Sequence, residues 1–125
     1  MKRAALVVLL VLLTSVATMP GPAAAGDNDA AIYTEDILDD DGYNFGINFY
    51  IDNLTDSQLY VVTVIAYREN VVGNVLNGVL LLGPHEKGAL IGSFIADDIR
   101  QPWGANIRSY WAPCLEDLEV PPQRQ

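Results

Sequence analysis

Arg100, Trp103, Arg108 and Tyr110 fall close together near the end of an otherwise acidic chain. Guanidinium groups and large aromatic rings are the side chains that most often dominate protein–protein contacts. Trp103 sits in a Pro-Trp-Gly loop, where side chains are free to serve recognition rather than framework. In a strand starting at Ile107, side chains alternate, so Arg108, Tyr110 and Ala112 share one face and Ile107, Ser109 and Trp111 share the other. The pattern predicts a partner-binding surface with Trp103 as anchor, Tyr110 beside it, and Arg100 and Arg108 flanking. The competing reading folds Trp103 back as a cap on the end of the domain. Trp111 belongs to the core.

The remaining reactive groups point away from catalysis. His85 lies in the polar turn Gly83-Pro84-His85-Glu86-Lys87-Gly88, and a turn of this kind seldom supplies a pocket. Cys114 is the sole thiol of the chain, so it has no internal disulfide partner and cannot build a cysteine zinc site. Its local sequence supplies neither the neighbouring base nor the helix end that a nucleophilic thiol requires, which leaves an incidental thiol or, as the lesser alternative, an intermolecular disulfide. Asp39-Asp40-Asp41-Gly42 invites a calcium reading. An EF-hand loop with Gly42 at its sixth position needs an oxygen ligand at residue 37 and Glu at residue 48; these positions hold Ile37 and Asn48. A looser site using Asp39, Asp41, Asp97 and Asp98 is the lesser alternative to a solvated acidic loop. We therefore expect no metal, no cofactor and no enzymatic activity.

The chain has 125 residues, with 16 acidic and 7 basic side chains, a formal charge of −9. Such a balance repels nucleic acid and anionic lipid. Lys2 and Arg3 precede an apolar run, Ala4 to Leu13, and Ala23-Ala24-Ala25 follows a Pro-Gly-Pro break. A basic end, a short apolar stretch and a small-x-small triplet predict a signal peptide over residues 1–25, cleaved before Gly26. The run is shorter than the roughly 20 residues a bilayer span needs. The expected mature chain keeps 5 basic and 16 acidic residues, a charge of −11, and is secreted or periplasmic without stable membrane insertion.

The elements that must position the candidate surface are read from periodicity. Residues 26–42 carry seven acids and no base, predicting a solvated arm in which Ala30 to Thr34 is at most a short strand. Phe45, Ile47, Phe49 and Ile51 alternate with mostly polar residues, the period of a half-buried strand. Leu59 to Tyr67 is rich in Val, Ile, Thr and Tyr and apolar on both faces, which predicts a central strand. Gly73-Asn74 reads as a turn, Val75 to Leu82 as one strand with a bulge at Gly78, and Ala89 to Ala96 and Ile107 to Ala112 as two more. Closely spaced strands without a helical stripe predict an antiparallel β-sandwich of about five to seven strands over residues 43–114, then a flexible tail over 115–125. Asn53-Leu54-Thr55 is both a glycosylation sequon and ordinary turn chemistry.

The order Ile47 to Thr55, Leu59 to Tyr67, Gly73-Asn74, then Leu82-Gly83-Pro84-His85-Glu86 resembles the FxLYD-type and related small Ig-like domains of exported bacterial proteins. His85 departs from the glycine usual in that turn. The resemblance implies an Ig-like sandwich used for adhesion, assembly or partner binding rather than catalysis. The expected function is a non-catalytic module that contacts a protein partner. A structural subunit self-associating through an edge strand is the alternative, and a small hydrolase is a distant third.

Overall fold

The structure, a computed structural model, describes residues 28–121. The signal-peptide expectation lies outside these residues. Seven strands follow in order: β1 (Ala30–Leu38), β2 (Asn44–Asn53), β3 (Leu59–Glu69), β4 (Val71–Val75), β5 (Val79–Leu82), β6 (Ala89–Ala96) and β7 (Gly104–Ala112). A single 3-10 turn, Leu115–Asp117, comes after β7. The strands form two antiparallel sheets, one of four in the order β1-β2-β6-β4 and one of three in the order β5-β3-β7. The expected all-β sandwich is present, with seven strands.

Its core is built from the inward halves of the alternating patterns. Ile32, Phe49, Ile51 and Phe94 from the larger sheet meet Leu59, Val61, Leu82, Ile107 and Trp111 from the smaller one. Phe49 and Phe94 pack edge to face at 6.0 Å between ring centres, the arrangement favoured by the aromatic quadrupole. Among these apolar residues, Thr63 and Ser109 lie opposite each other on β3 and β7 and share a hydrogen bond of 2.8 Å. That bond satisfies two hydroxyls that burial would otherwise strand.

Three expectations are corrected. The acidic stretch 26–42 is no free arm, because β1 within it pairs along its length with β2 and buries Ala30, Ile32 and Thr34. Of its described acids, Glu35 sits at an outward position, Asp29 precedes the strand and Asp39, Asp40 and Asp41 lie in the loop after it, so charge density hides an ordinary period-two pattern. Val75 to Leu82 is not one strand: the chain leaves the larger sheet after Val75, turns at Gly78 (φ +83°) and enters the smaller sheet at Val79. Gly73-Asn74 is not a turn but the middle of β4. A Cβ on Gly73 would stand 2.1 Å from the Ser93 carbonyl oxygen, so glycine is there for close approach between strands.

Candidate partner-binding surfaces

The loop between β6 and β7 is held from below by one side chain. Asn70, itself at φ +55°, donates from Nδ2 to the Asp98 carbonyl at 2.8 Å and accepts from the Asp98 amide at 3.1 Å. Asp98 in turn accepts from the Arg100 amide and from Arg100 Nε, both at 3.0 Å, while Arg100 Nη2 donates to its second oxygen at 3.3 Å. This two-pronged contact with Arg100 holds the Asp98 carboxyl below its ordinary pKa. The Arg100 guanidinium is exposed but already engaged.

The four residues chosen from sequence differ in exposure. Trp103 is half-buried and packs against the core cluster, as the capping alternative describes, so it is no protruding anchor. Tyr110 shares an outward face with Arg108, as alternation requires, yet only 8% of it is exposed. Period-two reading gives the face and is silent about cover. Arg108 is exposed on β7, and Ile99, 54% exposed in the loop, is displayed where Trp103 was expected. An apolar residue between Asp98 and Arg100 gave no sequence signal.

His85 and Cys114 are both surface groups. His85 Nε2 lies 2.5 Å from Asp56 Oδ1, with the two side chains 59% and 95% exposed. Sequence spacing did not suggest this partner, since the contact joins two turns 29 residues apart. A histidine–carboxylate pair so open to water lacks the enclosed setting in which proton transfer is tuned. Cys114 is exposed at the end of β7. In the Asp39–Asp41 loop, Asp39 Oδ1 accepts from the amides of Asp41 and Tyr43, both at 2.9 Å, so that carboxylate closes the turn. Among the described residues, no three His, Cys, Asp or Glu side chains gather as a metal site would need. No helix among them is long and apolar enough to cross a membrane.

The broad surfaces are the outer faces of the two sheets. On the smaller sheet, register places Leu81, Tyr60 and Ala112 in one row and Val79, Val62 and Tyr110 in the next, with Val64 beside Arg108 in the third. Val79 and Leu81 are 49% and 50% exposed, and Tyr60, Val62 and Val64 are half-buried. The larger sheet is ordered differently. Its rows read Ile37-Gly46-Ile95-Val72, then Glu35-Asn48-Ser93-Asn74, then Tyr33-Tyr50-Leu90, then Ala31-Asp52. Ser93 donates to Asn48 at 2.6 Å, Asn48 contacts the Tyr50 hydroxyl at 3.4 Å, and that hydroxyl donates to Glu35 at 3.0 Å. Tyr33 and Tyr50 stack with ring centres 5.4 Å apart.

Comparison with protein-family models, with curated proteins and with solved structures returns no match. The functional reading rests on the chain's own geometry.

Proposed function

We propose that this chain is a non-catalytic binding or assembly module that contacts a protein partner in the periplasm or outside the cell. The observation that carries the reading is the apolar outer face of the β5-β3-β7 sheet. Contiguous apolar surface on a soluble domain marks interaction sites far more often than chance exposure does. Tyr60, Val62, Val64, Val79 and Leu81 make such a surface, with aromatic and branched side chains already fixed on a rigid sheet. Fixed side chains lose little entropy on binding. Likeness to small Ig-like domains in turn order supports a partner-binding role, and the signal-like N-terminus supports export. The contact moves from the Trp103 loop to the β5 and β3 part of this face, because Trp103 packs on the core and Tyr110, at the β7 end of the same face, is nearly buried.

The test compares capture from the native envelope or secreted fraction by the wild-type protein and by Leu81→Asp. A partner retained by the wild type and lost by Leu81→Asp, at an unchanged unfolding midpoint, is the expected result. Equal capture by both proteins would overturn the assignment of this face. Size-exclusion chromatography distinguishes a foreign partner from self-association.

A further inference from the structure

The outer face of the four-stranded sheet carries a second, chemically different arrangement. Tyr33 and Tyr50 stand side by side on β1 and β2, with Glu35 in the row on one side and Asp52 in the row on the other. Each carboxylate is fixed by a donor of the protein itself: Glu35 Oε1 by the Tyr50 hydroxyl at 3.0 Å, and Asp52 Oδ1 by the Gly88 amide at 2.7 Å. The four rows of this face contain no Lys or Arg. The two acids therefore stand beside aromatic rings with no cation of the same face to meet them. Burial first, and then the neighbouring carboxylates, raise both phenols above their ordinary pKa, so the rings stay neutral at physiological pH.

We infer that this face binds an extended, arginine-bearing segment of a protein partner. A guanidinium is planar, forks onto carboxylates and stacks on aromatic rings, which an ammonium group does less well. The spacing specifies the segment further. Glu35 lies opposite Asn48, and Asp52 is four residues along the same strand, which is about 13 Å at the rise of an extended chain. Arginines four residues apart in a strand-like segment lying along β1 and β2 meet both carboxylates, with intervening side chains over the tyrosines. The net charge of −9 steers a basic segment toward the protein from any direction. The inference stands on a different sheet from the apolar-face reading and does not depend on it.

The test titrates the isotope-labelled protein with a blocked five-residue peptide bearing arginine at its first and fifth positions and threonine between. Amide shifts are expected to concentrate at residues 33, 35, 48, 50 and 52. Glu35→Lys and Tyr33→Leu should each weaken binding fivefold or more. Glu116→Gln with Asp117→Asn, which removes two charges from the 3-10 turn, should change it less than twofold. A lysine peptide and one with adjacent arginines should bind more weakly. Equal losses from the 3-10-turn variant and from Glu35→Lys would reduce the effect to diffuse charge attraction and overturn the inference. Absence of shifts at millimolar peptide, or shifts centred elsewhere, would overturn it too. Glu35 is exposed, so Glu35→Lys retains the fold even where Tyr33→Leu loses stability. Leu81→Asp should leave peptide binding unchanged, which separates failure of this inference from failure of the apolar-face reading.

Discussion

The two outer faces of this sandwich lie over one shared core and have opposite chemistry. On the β5-β3-β7 sheet, the outward positions of β5 and of the first half of β3 are Val79, Leu81, Tyr60, Val62 and Val64, an almost wholly apolar set beside Arg108 of β7. On the β1-β2-β6-β4 sheet, outward side chains bond to one another across three strands, from Ser93 through Asn48 and Tyr50 to Glu35. The first face lowers its free energy by leaving water, so shape and apolar contact decide what it meets. The second holds its polar groups in fixed directions, so charge and geometry decide. Seven strands thus carry two chemically different outer faces on one scaffold.

The comparison presumes that the inner faces hold the fold and the outer faces are free to vary. Phe49→Ala, which empties the centre of the core, should cost about 3–5 kcal/mol in denaturant unfolding. A loss below about 1 kcal/mol would mean that the core does not depend on the Phe49–Phe94 contact. Ser109→Ala leaves the Thr63 hydroxyl buried without its partner and should cost about 1–3 kcal/mol by the same measurement. Leu81→Ser, on the apolar outer face, should stay within about 0.5 kcal/mol, as exposed substitutions usually do. A loss of several kcal/mol there would show that the face is covered within the chain and is not a binding surface. The smallest effect is one of pH and belongs to the polar face. Tyr33 and Tyr50 have folded pKa values raised above the ordinary 10, so their contribution is complete below pH 10 and declines as pH rises through the folded values. Tyr50→Phe should make the alkaline fall in unfolding midpoint shallower, and an unchanged slope would remove Tyr50 from that account.

How much of this the sequence shows depends on which way a residue points. Inward positions were legible, because Phe49, Ile51, Val61 and Trp111 follow the period of two that burial on one side imposes. Outward positions were not. The apolar faces of Leu59 to Tyr67 indicated a central strand, which β3 is, but not that its outer side stays half-exposed. Tyr33, Glu35 and Tyr50 went unnoticed because their grouping depends on the register of β1 against β2, a strand pairing hidden by the acids around it. Trp103 stayed open between anchor and cap for a related reason: a loop tryptophan looks available until the loop is seen folded onto the core.

Asn53 brings a last consequence. It is fully buried, accepts the Thr55 amide and hydroxyl at 2.9 and 2.8 Å, and donates from Nδ2 to the carbonyls of Ser57 and Gly83 at 2.7 and 2.8 Å. Those two donations use both hydrogens of the amide, and a sugar attached to this nitrogen must replace one of them. The sequon Asn53-Leu54-Thr55 is therefore an acceptor only while the chain is unfolded. Where a cell installs N-linked glycans, the transferase and the closing sandwich compete for the same nitrogen. A chain that receives the sugar first keeps one hydrogen on that nitrogen and must give up the bond to Ser57 or the bond to Gly83, leaving a carbonyl short of its donor.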